Sequence, residues 1–270
     1  AYVNDTTLVV ISSYSGSTEE SVASCQQALK IGAKVTGITT GGKLGQLLTQ
    51  AKMPAYIFTP RYNSSKQPRL GTGYSVFGLL AILQSIGFLT ISDEERNETI
   101  TTLEKGKELY GISIPVDKNR GKQLASAWKE KIPVIVSAEF LKEAGRVIRN
   151  QFHESAKTFA VYHDIPELNH HLMEGLSNPE SNKTNLQFLF LLSKNYSDKI
   201  QKRIKITRDE VTKQGIASEI FETTARGTLA QAFECIQFGA YVNYYMAILY
   251  DINPSKIPWV DYFKAELAKA

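Results

Sequence analysis

Cysteine, tryptophan, methionine and histidine are all scarce in this chain of 270 residues, with two, two, three and four of them respectively. Two thiols cannot staple a disulfide framework. Cys25 and Cys235 each fall in a helical pattern and read as buried thiols in a reducing cytosol. Long apolar runs are also lacking. The richest windows, 75–91 and 229–250, are broken by Gln84 and by Gln231, Glu234, Gln237 and Asn243, so they read as core helices and not membrane spans. Neither sign of charge is concentrated: 31 basic and 27 acidic residues leave a net charge of +4, interspersed along the chain. Without a basic stripe interleaved with aromatics, nucleic acid is not an expected partner. The opening residues have no signal-peptide pattern, and a cytoplasmic protein is the expectation. There is no short-period repeat and no low-complexity tract.

What is present is the composition of a soluble globular protein, 43% hydrophobic and 21% charged, long enough for one large or two ordinary domains. The chain is organised around Leu8-Val9-Val10-Ile11-Ser12-Ser13-Tyr14-Ser15-Gly16-Ser17-Thr18-Glu19-Glu20. The apolar, β-branched run predicts a parallel strand buried on both faces. Gly16 permits a tight turn, and Thr18 with two glutamates reads as a helix start. The loop therefore joins the carboxyl end of a strand to the amino end of a helix, where backbone N–H groups and the helix dipole favour an anion. Ser13, Ser15, Ser17 and Thr18 add hydroxyl donors. A Ser-rich turn that only caps its helix is the plainer reading of the same residues.

From there the pattern alternates. Residues 18–31 predict a helix, 33–39 a strand, 43–51 a short helix, 55–58 a strand, 60–68 a polar loop and 69–87 a long apolar helix. Such alternation implies a parallel sheet with right-handed crossovers. Charged helices over 93–110 and 119–131 follow, the region 92–118 reading as a connection between domains. A second series then predicts strands at 132–136, 158–162, 185–192 and 216–221. Its helices fall at 138–151, from 167 to 174, at 197–214, at 229–250 and, after Pro254 and Pro258, at 260–269. The expected fold is α/β, two three-layer αβα units with parallel sheets. Their spans are 1–91 and 119–253, with a C-terminal helical segment over 254–270. The strand at 8–11 looks central yet comes almost at once, so the first unit is expected to be incomplete at its N-terminus.

Gly37-Ile38-Thr39-Thr40-Gly41-Gly42-Lys43-Leu44 matches a phosphate-binding G-x-x-x-x-G-K but places Leu44 where a hydroxyl must hold magnesium, and it starts inside a strand. A glycine turn explains it better. The densest polar stretches are Asn150-Gln151-Phe152-His153-Glu154-Ser155-Ala156-Lys157 and Pro166-Glu167-Leu168-Asn169-His170-His171. With His163 between them they hold all four histidines, but in no metal-ligand spacing, so no metal and no other cofactor is expected. Acid–base chemistry by Glu and His is the alternative, set against helix-surface polar groups as the plain one.

Several of these segments resemble one family. S-Y-S-G-S-T-E-E is similar to the S-x-S-G-x-T-x-E loop of sugar isomerase (SIS) domains, which bind phosphosugars. Q-P-R-L-G-T-G-Y, Q-F-H-E-S-A-K, P-E-L-N-H-H, T-x-R-G-T-L-A-Q-A-F, Y-V-N-Y-Y-M-A-I-L-Y-D-I-N-P and a final F-K resemble the bifunctional phosphoglucose/phosphomannose isomerases, two-SIS-domain enzymes. The motifs come in the family's order from one end of the chain to the other.

The resemblance implies an isomerase of hexose 6-phosphates working through an enediol without metal. It implies Glu154 as the base between C1 and C2, and His170 for ring opening, reaching the site from the partner subunit of a homodimer. Lys264 would assist at the ring oxygen, Arg69 would stabilise the enediolate, and Ser13, Ser15 and Thr18 would hold the phosphate. The family has an earlier strand and a Gly-rich turn adding a serine, which lies before this chain's first residue. Where the family has threonine beside a proline near the C-terminus, this chain has Ile257-Pro258 with Ser255 nearby, so glucose phosphate is implied more directly than mannose phosphate. A non-catalytic SIS phosphosugar sensor is the alternative; it would keep the phosphate loop without needing Glu154, His170 and Lys264 together.

Overall fold

The computed structural model describes residues 2–267 and 269. The chain is α/β, with two parallel sheets in two compact units, Ala1–Ile91 and Ser92–Ala270. Among the described residues no helix is long and apolar enough to cross a membrane.

The first unit runs β1 (Leu8–Ser12), α1 (Glu19–Ile31), β2 (Lys34–Thr39), α2 (Gly42–Gln50), β3 (Ala55–Ile57) and α3 (Thr72–Ser85). Its three strands lie in the order β1-β2-β3, all parallel, with Val10 opposite Thr36 and Gly37 opposite Ala55. Ile11, Val35, Leu44, Leu48 and Cys25 form the core beneath them. The dipole of α1 is complemented at both ends, by Glu19 and Glu20 in its first turn and Lys30 in its last. Gly32 ends it in the left-handed conformation. The helix expected over 69–87 is split. Pro68–Leu70 make a 3-10 turn, and α3 begins only after Gly71, where a Cβ would lie 2.6 Å from the Tyr14 ring.

The second unit runs α4 (Asp93–Tyr110), α5 (Arg120–Trp128), β4 (Ile132–Ala138), α6 (Lys142–Glu154), β5 (Val161–Ile165), α7 (Leu172–Gly175), α8 (Asn182–Asn185), β6 (Leu186–Leu192), α9 (Asp198–Lys213), β7 (Ala217–Glu222), α10 (Thr228–Leu249) and α11 (Pro258–Leu267). The sheet order is β5-β4-β6-β7, all parallel. The step from β4 to β5 goes one way along the sheet and that from β6 to β7 the other. Right-handed crossovers therefore put α6 and α9 on opposite faces. The apolar runs of β4 and β6 are accordingly buried almost throughout. The all-round apolar α10 packs against α4, α5 and α6. Ser92 starts α4 with a reciprocal capping box to Glu95.

Several boundaries differ from the sequence expectation by three residues or more: α5 stops at Trp128 and not 131, and 3-10 turns at Glu139–Leu141 and Glu167–His170 precede α6 and α7 where helix is expected from 138 and 167. The strand read at 158–162 lies at Val161–Ile165 and α6 continues to Glu154. Thr158, β-branched and beside Phe159, looks strand-like, but its N–H donates to Phe152 O at 3.0 Å and its hydroxyl to Ala156 O at 3.2 Å. It closes the helix end.

Candidate active site

In the first unit the loop after β1 is fixed by the backbone of the next βα turn. Thr40 N–H and hydroxyl both donate to Tyr14 O at 2.8 Å, and Leu44 N–H donates to Gly16 O at 2.8 Å. Gly16 has φ +69°, and a Cβ there would collide with the carbonyl of Gly41, so only glycine fits. Ser13 is buried and its hydroxyl donates to Thr18 Oγ1 at 3.2 Å. Ser15 and Thr18 are exposed, and Thr18 makes no side-chain cap on α1. The three hydroxyls read from the sequence as a phosphate clamp thus share one rigid loop at a helix N-terminus, with two of them facing solvent.

Arg69 belongs to the same unit and is tied to this loop through residues the sequence reading passed over. Buried Asn63 donates to Tyr14 Oη at 2.7 Å and to Gln67 O at 2.8 Å. The side-chain oxygen of Gln67 accepts from the Arg69 guanidinium at 3.0 Å. Tyr14 packs edge-on against Phe58.

In the second unit Glu154 is the last residue of α6, half-buried. Its helix runs back from the carboxyl end of β4 to the amino end of β5. His170 ends the turn that follows the carboxyl end of β5 and is exposed. The two residues therefore lie at opposite edges of the same sheet, separated by a strand that itself spans roughly 16 Å. Lys264 is exposed on α11. The connection leading to that helix, at Asn253 and Pro254, is bonded to Lys157 just after Glu154. The structure thus brings Glu154 to the root of the segment that carries Lys264.

His170 lines a cavity of about 400 Å³ with Asn169, His171, Arg203, Thr207 and Glu210. Asn169 is held by a 2.7 Å bond to the Thr207 hydroxyl, and His171 meets the Glu167 carboxylate at 3.0 Å. His163, on β5, has its pKa pushed down by burial and then by the neighbouring His171. Among the described residues no three His, Cys, Asp or Glu side chains come together as a metal site.

Residues 117–267 match the family model of the bacterial phospho-glucose isomerase C-terminal SIS domain. The bifunctional phosphoglucose/phosphomannose isomerase of Caldicellulosiruptor bescii is 32% identical over all of this chain and 78% of that protein. The chain belongs to the bifunctional phosphoglucose/phosphomannose isomerase family. The Thermoplasma acidophilum member is 26% identical over 99% of this chain and 78% of its own length. The fold is also that of the tagatose-6-phosphate ketose/aldose isomerase of Escherichia coli, with TM-score 0.72 at 13% identity over 95% of this chain and 73% of that one.

At the carboxyl edge of the second sheet, carboxylates of the chain itself occupy two helix starts. Glu139 accepts from Ser197 N–H and hydroxyl at 3.2 and 2.8 Å, ahead of α9. Glu98 accepts from Arg226 N–H at 2.6 Å and Gly227 N–H at 3.1 Å, ahead of α10. At the start of α1 in the first unit, serine and threonine hydroxyls stand instead. Both cysteine thiols have pKa values raised by burial, which keeps them protonated and inert.

Proposed function

We propose that the chain interconverts aldose and ketose hexose 6-phosphates, glucose 6-phosphate with fructose 6-phosphate and also mannose 6-phosphate, through an enediol intermediate. The observation that carries this reading is membership of the isomerase family across the whole chain. The hydroxyls of Ser13, Ser15 and Thr18 hold the phosphate. Glu154 takes the proton from one of the two adjacent carbons and returns it to the other. Arg69 stabilises the charge that develops on the enediolate oxygen. His170 and Lys264 move the proton of the ring oxygen and its hydroxyl during opening. The step needs a base, an acid and a fixed cation, with no electron transfer.

Glu154 and His170 lie at opposite sheet edges, which supports a working unit of two copies, each lending its His170 to the other. Glu154→Gln tests the base assignment: it should abolish turnover while leaving phosphosugar binding nearly intact, as read by calorimetry with fructose 6-phosphate. Turnover persisting in that variant would remove Glu154 from the role.

A further inference from the structure

We propose that Lys157 is a positioning residue for isomerisation, a clamp that fixes the helix end bearing Glu154 to the root of the segment bearing Lys264. The inference rests on the roles given above to Glu154 and Lys264. The Lys157 ammonium donates to Glu154 O at 2.9 Å, Asn253 O at 3.1 Å, Pro254 O at 3.3 Å and Ser155 O at 3.4 Å. Three N–H groups thus serve four carbonyls from two segments almost a hundred residues apart in sequence. Two of these carbonyls belong to the end of α6, where the helix leaves its last carbonyls without partners and where a cation is favoured by the dipole.

The backbone at this position adds a second argument. Lys157 has φ +50°, a conformation that glycine adopts freely and a long side chain adopts at a cost of order 1 kcal/mol. Glycine would close the helix with less strain; it would not supply the ammonium. On the other side of the clamp, Asn253 folds back, its side-chain oxygen accepting from Ser255 N–H at 2.8 Å, so the segment arrives in a defined turn. Four residues after Pro254, α11 begins at Pro258. Lys264 lies six residues into it, roughly 9 Å along the axis. A change of a few degrees at the root is enough to move the Lys264 ammonium by an ångström. All four carbonyls that the clamp holds are backbone atoms, so these bonds fix the path of the chain on both sides of it.

The test compares Lys157→Met, Lys157→Arg and Glu154→Gln in the full chain. Readouts are kcat and KM with fructose 6-phosphate, thermal melting, and hydrogen exchange over residues 253–264. For Lys157→Met we expect kcat to fall on the order of 10- to 100-fold, the effect of misplacing reacting groups by about an ångström. KM should stay within about twofold because the phosphate contacts lie elsewhere. Exchange should rise over 253–264, and Lys157→Arg, which keeps a multivalent donor, should restore most of the rate. Unchanged kcat in Lys157→Met, or a KM rise that accounts for the whole loss, overturns the proposal. Exchange reads the clamp without turnover, and unchanged exchange overturns it too. An active Glu154→Gln would sink the base assignment instead, so the two failures are distinguishable.

Discussion

Removing the carboxylate of Glu98 should loosen the start of α10 by an amount that can be worked from the contacts. Glu98, on α4, accepts from two backbone amides, Arg226 N–H and Gly227 N–H. A Cβ on Gly227 would stand 2.8 Å from its carboxylate, so the chain is shaped to let the acid in. Taking two bonds to a charged acceptor at the low end of their range, and discounting for the half-exposed setting, gives roughly 2 kcal/mol for Glu98→Ala. For a domain of this size that is a fall of about 4–8 °C in melting temperature. Glu98→Gln keeps an acceptor oxygen and loses only the charge, so about half of that loss is expected. Calorimetric or circular-dichroism melts of the three proteins provide the measurement. Hydrogen exchange at the first turn of α10 should accelerate in the same order. A Glu98→Ala protein that melts within about 1 °C of the parent, with unaltered exchange there, would refute the idea that this acid holds the helix start.

The other expectations are local. Gly16→Ala forces a side chain into the Gly41 carbonyl from a left-handed backbone; it should cost about 2 kcal/mol or more and abolish phosphosugar binding, read by melting and by calorimetry. Gly239→Ala puts a Cβ 2.6 Å from Ile148 Cγ1 and should cost about 1–3 kcal/mol alone. In an Ile148→Ala background the same change should be neutral or stabilising, and additive costs in a double-mutant cycle would exclude direct contact. His163 has a lowered folded pKa, so below its unfolded value of about 6.5 the unfolded chain binds the extra proton. Its stabilising effect is complete above that pH and is lost as pH falls toward the folded pKa. His163→Asn should therefore flatten the acid side of the stability profile, measured by urea unfolding at a series of pH values; an unchanged slope would remove His163 as its source.

The alternation of strands and helices is readable because parallel strands leave dense apolar runs, β-branched in Ile132–Ala138 and rich in leucine and phenylalanine in Leu186–Leu192. Val161-Tyr162-His163-Asp164-Ile165 carries three ionisable groups and does not look like a buried strand. Its Asp164 is paired with Lys142 at 2.6 Å, a partner on another element that no window of sequence displays. The same holds for the site. Ser13, Ser15 and Thr18 are legible because one loop contains them and its helix. The bond between Asn63 and Tyr14 spans 49 residues, and that between Lys157 and Asn253 spans 96. No local pattern marks either, although Lys157 shares the E-S-A-K segment with Glu154. The helix end at Glu154 is masked for a related reason: Thr158, whose β-branched side chain favours a strand, closes α6 instead.

The placement of Glu154 and His170 at opposite edges of one sheet has a genetic consequence. If each acts on a substrate held with a neighbouring copy, two dead chains can heal one another. An equal mixture of Glu154→Gln and His170→Asn subunits, allowed to exchange, assembles half its dimers from unlike chains. In each of those, one pocket inherits both lesions and the other inherits none. About a quarter of the parental turnover should then appear from two preparations that have none, the signature of a two-fold assembly with shared pockets.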